Sequence, residues 1–321
     1  MSEVQKIFVS GDIPGKGLEM LKEKYEVEVF IKDRPVSKEE LKEKVKDCHG
    51  LIAMVGDPVT GEVIEAGENL KVIANYGAGF DNIDIEKAKE KGIEVTNTPG
   101  VLHETTADLT FSLILTLMRR IKEADSFLRE GNFKGWKPQL FLGEDVYKKT
   151  LGIIGMGEIG QAVAKRAYGF EMEVLYNKRI PLGEEEERKL NVKYTGVDEI
   201  IETADIISLH VPLTPKTHHL ITTKEFSRMK DSAVLINTSR GAVIKEDDLV
   251  NALEKGEIAG AALDVFEKEP DLHPGLIDRE DCILLPHIGS ATRQCRKRMG
   301  EIAAENVINV LSGKKPLTPV I

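Results

Sequence analysis

The sequence predicts an α/β chain of two domains, each built on a parallel sheet. Three observations carry that expectation. A GxGxxG loop, Gly155 to Gly160, sits between an apolar strand-like run and a helix-like run near the middle of the 321 residues. Strand-like runs alternate with charged amphipathic stretches over the first hundred residues, and the alternation resumes from Thr150. Strands alternating with helices form a parallel layer with helices packed on it, and a chain of this length suits two domains better than one.

In chain order, the runs KIFVS, VEVF, LIAM and KVIAN read as strands, separated by segments such as VSKEELKEKVKDC that read as helices. TTADLTFSLILTLMRRIKEADSFLR, Thr105 to about Arg129, reads as one long helix, apolar enough for burial on more than one side. LGIIG, EVLYN, IISLHV, AVLINT, IAGAALDVF and CILLPHI then supply six strands. The EEEE run Glu184–Glu187 reads as a solvated loop after a strand. An amphipathic helix from about Ala291 to Val310 follows, with a short KKPLTPVI tail.

The GxGxxG loop points to a dinucleotide. Gly155 permits the tight turn, Gly157 lets backbone amides approach a pyrophosphate, and Gly160 lets the helix pack on the strand, which brings phosphate oxygens to a helix N-terminus. Leu151 to Ile154 gives the buried strand before it, and Ile159, Val163 and Ala167 recur at helical spacing after it. A dinucleotide fold normally opens with this fingerprint, so the preceding residues belong elsewhere. The expected division is residues 1–100 and 289–321 for a discontinuous substrate domain, and 101–288 for a Rossmann-type domain, with a cleft between the lobes.

Composition narrows the function class. Net charge is −10, with no block of Lys and Arg for a phosphodiester backbone, so nucleic acid is not an expected partner. Cys48, Cys282 and Cys295 are odd in number and lack metal-type spacing, which fits reduced thiols and no metal site. Neither a basic and apolar leader nor a membrane-spanning apolar run is evident, so no membrane partner is expected and the expected location is cytoplasmic.

Three polar residues stand at or just beyond predicted strand ends, where ligands of open α/β sheets bind. Arg240 follows AVLINT, Glu269 follows ALDVF, and His287 follows CILLP. Singly, each has an ordinary alternative: a surface charge, an N-cap or salt-bridge partner, and a turn histidine.

Together with GAGFDNIDIEKAKEKGIEVTNTPG, HVPLTPKTHHLI, INTSRGAVI, GAALDVFEKEP and PHIGSAT, they make the chain resemble the D-isomer-specific 2-hydroxyacid dehydrogenases over nearly its whole length. FKGWKPQLFLGEDVYKKTLGIIGMGEIGQAVAKRA is most similar to the glyoxylate/hydroxypyruvate reductase branch, to which the 2-ketogluconate reductases are close. The resemblance implies a Rossmann domain and a flavodoxin-like substrate domain, and reduction of a small 2-keto acid to the D-2-hydroxy acid.

The implied roles make physical sense. Arg240 offers a planar fork of donors to the substrate carboxylate and keto oxygen. His287 acts as general acid in reduction and general base in oxidation. Glu269 holds the ring of His287 and favours its imidazolium. The resemblance also assigns substrate contacts to the amides of Ala78 and Gly79, with Val55 and Gly56 opposite. Around the dinucleotide it assigns Thr106, Glu158, Ile159, His210, Val211, Pro212, Thr238 and Asp264, the last to the nicotinamide amide or, alternatively, to a strand-end cap. Many relatives carry arginine where this chain has Glu158, which leaves mainly backbone amides for the pyrophosphate.

An acidic residue about 20 positions past the fingerprint would bind a ribose diol. Here stand Asn177, Lys178 and Arg179. Without the carboxylate a 2′-phosphate is not repelled, and two cations can meet it, so NADP(H) is expected in preference to NAD(H). Trp136, the only tryptophan, lies on a loop that in the resembled branch reaches the active site of the partner subunit, which implies a homodimer; packing is the alternative. His218 and His219 are adjacent and cannot share one face as a chelating pair.

Two further readings stay open. A 2-ketogluconate reductase or a phosphoglycerate dehydrogenase would use the same three residues on another 2-hydroxy acid. A nucleotide-sensing scaffold, like the corepressors that share this fold, would show a peptide groove or partner-binding tails, and the sequence has no long extension beyond the two lobes.

Overall fold

A computed structural model describes residues 4–321. The chain separates into two compact units, one formed by residues up to Leu102 together with Ser290–Ile321, the other by His103–Gly289.

The first unit holds five strands: β1 (Lys6–Val9), β2 (Glu26–Val29), β3 (Gly50–Met54), β4 (Val72–Tyr76) and β5 (Glu94–Thr96). They lie in the order β2-β1-β3-β4-β5, all parallel, which is the flavodoxin-like order. Side-chain alternation divides the strands between two cores. Ile7, Val9, Ile52, Val72 and Ala74 face one side and pack with Met299, Ala303 and Val307 of the helix Arg293–Leu311. Phe8, Leu51, Ala53 and Ile73 face the other, with Leu41, Val45, Val63 and Ile64. The last residues then run back along β5: Val320 N–H donates to Val95 O, and Pro319 bridges Thr96.

The second unit holds β6 (Thr150–Ile154), β7 (Glu173–Asn177), β8 (Val192–Tyr194), β9 (Ile206–Leu209), β10 (Val234–Asn237), β11 (Gly260–Leu263) and β12 (Cys282–Leu284). Their order is β12-β11-β10-β9-β6-β7-β8, all parallel. This is the Rossmann order with a seventh strand. The expectation of six strands falls one short: the strand it lacked, β8, is a three-residue edge strand on β7 with no buried residue. The strand order reverses between β6 and β9, and a ligand crevice opens beyond the carboxyl ends of strands at such a point.

The expected long helix over Thr105–Arg129 is two helices, His103–Met118 and Ile121–Arg129. Arg120 between them is left-handed, with φ 51°. The cause lies downstream. Met118 O accepts the Glu144 N–H at 2.8 Å, so the returning segment caps the first helix where a further turn would have bonded. The first helix carries seven buried residues and the second none, so the break separates a core helix from a surface one.

The EEEE run also departs from expectation. Glu184–Glu187 open the helix Glu184–Leu190 instead of lying in a loop, and four carboxylates at its positive end are favourably placed. Glu187 accepts a hydrogen bond from the Tyr176 hydroxyl at 2.6 Å. No described helix is long and apolar enough to cross a membrane. All three cysteines are buried thiols, and burial pushes Cys48 up to about 11 and Cys282 to about 12.

Candidate active site

The fingerprint loop turns at the end of β6. Gly155 has φ +106°, and a Cβ there would stand 2.4 Å from the His210 carbonyl carbon. A Cβ on Gly160 would stand 2.2 Å from Gly155 O. Both positions therefore demand glycine. Gly157 caps the helix Glu158–Tyr168 without any side-chain bond, which leaves the first-turn N–H groups open for an anion, and space around Gly157 is clear. Glu158 lies in that turn with its carboxylate 3.9 Å from His103 Nδ1, and Ile159 packs on the core below.

His210 follows β9 beside this turn. Its Nε2 lies 2.8 Å from Ser208 Oγ, its buried Nδ1 has no protein partner, and burial pushes the imidazole down to about 3, so the ring is neutral. Val211 is half-buried and Pro212 exposed as the chain leaves it. Thr238 is buried after β10, its hydroxyl 3.1 Å from Thr110 Oγ1; Thr106 donates to Gly289 O at 3.2 Å. At the end of β7 the Asn177 side chain donates to Thr195 O at 2.8 Å. Lys178 is half-buried and Arg179 exposed, and neither forms an ion pair among the described residues.

The structure brings Glu269 and His287 together. His287 Nδ1 stands 2.9 Å from Glu269 Oε2, while Glu269 Oε1 accepts the Phe266 N–H at 3.0 Å. A carboxylate only accepts here, so Nδ1 carries the proton that bonds it and Nε2 is left for exchange with a ligand. Burial pushes the Glu269 carboxyl up, but the His287 hydrogen bond and charge, the Phe266 N–H and the Arg240 charge outweigh it, and the net shift is downward.

Two supports hold these side chains. Asn237 accepts from Ser239 N–H at 3.0 Å and donates to Arg240 O at 2.9 Å, fixing the turn that carries Arg240. Gly241 lies so close to the end of β11 that a Cβ would fall 1.8 Å from the Phe266 carbonyl carbon, which locks the Arg240 turn beside the segment bearing Glu269. Arg240 itself donates from Nη1 to Ser239 O at 2.8 Å.

Asp264, read from the sequence as a nicotinamide contact or a strand-end cap, holds the turn after β12. It is 1% exposed at the end of β11, and its two carboxylate oxygens accept the N–H groups of Ile288 and Gly289, both at 2.7 Å. This clasp sets the backbone that follows His287, whose own φ is +52°. Burial pushes the Asp264 carboxyl up, against the two N–H groups and the His287 charge. Its place beyond a strand was the available signal; the partners, 24 and 25 residues away, were not legible.

In the first unit, Val55 and Gly56 follow β3, and Ala78 and Gly79 follow β4. These loops pack tightly, since a Cβ on Gly77 would stand 2.4 Å from Val55 Cγ2. Trp136 is 82% exposed, His219 Nε2 bonds Glu267 Oε1 at 2.7 Å, and the His218 ring lies against that of His219 at a tilt of 34°.

Comparison with known proteins finds relatives of the whole chain. Residues 111–289 match the family model for the D-isomer specific 2-hydroxyacid dehydrogenase, NAD binding domain. A glyoxylate reductase from Korarchaeum cryptofilum is 46% identical over 314 residues, 97% of this chain and 94% of that one. A glyoxylate reductase structure from Paecilomyes thermophila superposes with TM-score 0.88 at 35% identity, covering 100% of this chain and 99% of that one. An NADPH-dependent glyoxylate/hydroxypyruvate reductase from Sinorhizobium meliloti, in complex with NADP and malonate, does so with TM-score 0.87 at 32% identity, covering 99% and 97%. The fold and these likenesses agree: the chain is an oxidoreductase and belongs to the D-isomer-specific 2-hydroxyacid dehydrogenase family, in its glyoxylate reductase branch.

Proposed function

We propose that this enzyme reduces glyoxylate and hydroxypyruvate to the D-2-hydroxy acids with NADPH in preference to NADH. The observation that carries the chemistry is the His287–Glu269 pair at 2.9 Å, with Asp264 holding the backbone just after His287. A carbonyl reduction needs a proton delivered to oxygen as hydride reaches carbon, and His287 Nε2 is the available donor. Glu269 keeps the ring in one tautomer and stabilises its cationic form. Arg240 takes the carboxylate and the keto oxygen, and amides of Ala78 and Gly79, with Val55 and Gly56, are assigned to the substrate on the resemblance.

The bound dinucleotide supplies the hydride. The open N–H groups of the helix Glu158–Tyr168 fit its pyrophosphate, with Gly155, Gly157, Ile159 and Gly160 shaping the approach. Thr106, His210, Val211, Pro212, Thr238 and Asp264 are assigned to its remaining contacts, Glu158 giving no cationic help. Asn177, Lys178 and Arg179 support the NADPH preference: an amide stands where a carboxylate would repel a 2′-phosphate, and two unpaired cations follow.

A homodimer forms part of this reading. The helix Ile121–Arg129 and the loop after it expose Ile121, Leu128, Phe133, Trp136 and Leu142, an apolar set suited to a second copy, with Trp136 contributing to the partner's substrate fit. Steady-state oxidation of NADPH and NADH, each with glyoxylate and with hydroxypyruvate, tests the proposal. Faster turnover with NADPH supports it, turnover with NADH alone rejects the cofactor preference, and no turnover with either acid rejects the substrates.

A further inference from the structure

At the end of β4, three successive carbonyls are held by donors. Gly77 O accepts the Thr98 N–H at 2.9 Å, Ala78 O accepts Asn97 Nδ2 at 2.7 Å, and Gly79 O accepts Asn75 Nδ2. A trans peptide points its N–H opposite to its C=O, and these peptides are trans. The N–H groups of Ala78, Gly79 and Phe80 therefore turn away from the donors that hold the carbonyls. None of the three donates to another group among the described residues. Successive unpaired backbone N–H groups make an anion-binding concavity.

The asparagines are themselves fixed. Asn75 is fully buried, and its Oδ1 accepts from Asn82 Nδ2 at 3.3 Å, which settles which end of its amide faces Gly79. Asn97 is gripped through its backbone: its O accepts the Thr318 hydroxyl at 2.6 Å, and its N–H donates to Thr318 O at 3.3 Å. Thr318 is held in turn by fully buried Asn306 on the helix Arg293–Leu311, which donates to its Oγ1 at 2.8 Å and accepts its N–H at 3.2 Å. A line of side chains thus runs from the last helix, through the tail, to the Ala78 peptide.

We propose that Asn97 and Asn75 are positioning residues that hold the 77–79 carbonyls back and present the Ala78, Gly79 and Phe80 amides as a receptor for the substrate carboxylate. This rests on the 2-keto acid reading above and adds to it the Phe80 amide, the two asparagines and the tail that braces one of them.

The test compares wild type with Asn97→Ala, which removes the donor, and Asn97→Asp, which keeps the shape but puts an acceptor against Ala78 O. KM for glyoxylate rises about 10-fold or more in both, and inhibition by oxalate weakens by a similar factor. Meanwhile kcat falls less, and NADPH affinity by fluorescence and the thermal midpoint stay near wild type. Unchanged KM and oxalate inhibition overturn the proposal, and so does a joint fall of midpoint and NADPH affinity, which marks a merely structural role. If wild type reduces no 2-keto acid, the functional reading fails separately, and calorimetry with oxalate still decides. Weaker binding by Asn97→Ala supports the receptor; equal binding, or none by wild type, overturns it.

Discussion

Glu269→Gln keeps the size of the side chain beside His287 and removes its charge. Opposite unit charges at the observed 2.9 Å attract by about 1.4 kcal/mol in a water-like medium and about 5.7 kcal/mol at an effective dielectric constant of 20. The pair lies between these limits, because the side chains of His287 and Glu269 are 34% and 35% exposed. A hydrogen bond to a charged group contributes about 1.5–3 kcal/mol, within the same range. If that stabilisation is realised as His287 becomes the proton donor, kcat/KM for glyoxylate reduction falls by roughly 10- to 150-fold. KM for NADPH stays near wild type, since the carboxylate acts on the histidine.

The pH dependence gives a second readout. The Glu269 carboxyl titrates below its ordinary range in the fold, so its negative charge is complete above that range and is lost as pH falls through the lowered value. The contribution of this carboxylate to the acid limb of the wild-type profile is absent from Glu269→Gln, which is slow throughout. The assay is initial velocity against pH with saturating NADPH and subsaturating glyoxylate. A variant within about threefold of wild type at neutral pH would refute the reasoning, since a loss of about 0.7 kcal/mol lies below the range worked for this pair.

Three further outcomes are expected. Asp57 is 2% exposed, and burial raises its carboxyl to about 6 against the pull of the Ser10 and Met54 donors; its favourable contribution is complete below the unfolded value and is lost as pH rises from about 4 to about 6. Urea unfolding of Asp57→Asn should therefore gain on wild type by roughly 2–3 kcal/mol between pH 4 and 7, and a pH-independent difference contradicts the assignment. Gly155→Ala must relieve a contact of 2.4 Å with the His210 backbone from a left-handed φ, so NADPH binding, followed by fluorescence, weakens at least about 10-fold. Asn177→Asp combined with Arg179→Ala should lower the ratio of kcat/KM for NADPH over NADH by about 10-fold or more, and an unchanged ratio removes these residues from cofactor choice.

Much of the architecture was legible because each sheet is written in local patterns. Apolar runs of four or five residues bounded by turn signals gave β6, β9 and β10, and the glycines gave the fingerprint. Arg240, Glu269 and His287 stood out as candidates because each lies beyond a predicted strand, and the structure pairs the last two. What escaped depends on distant partners or on weak burial. The break at Arg120 is made by Glu144 reaching Met118 from 26 residues on, and nothing in the helical run announces it. β8 has only Val192 half-turned inward, so no apolar run marks it. Asp264 reads as a nicotinamide contact or a strand-end cap, but its bonds to Ile288 and Gly289 exist only in the fold, as does the bond from Thr318 to Asn97 across 221 positions.

That return of the chain has a consequence for the order of events during synthesis. The second unit is one unbroken stretch and has all its strands once residue 289 has left the ribosome. The first unit begins earlier but finishes later, because Met299, Ala303, Ala304 and Val307, which cover one face of its sheet, are translated near the end. Until then Ile7, Val9, Ile52 and Val72 lack that cover, although the strands that carry them were made first. Nascent chains of this enzyme therefore carry a complete dinucleotide-binding sheet while their oldest segment still offers apolar surface to chaperones.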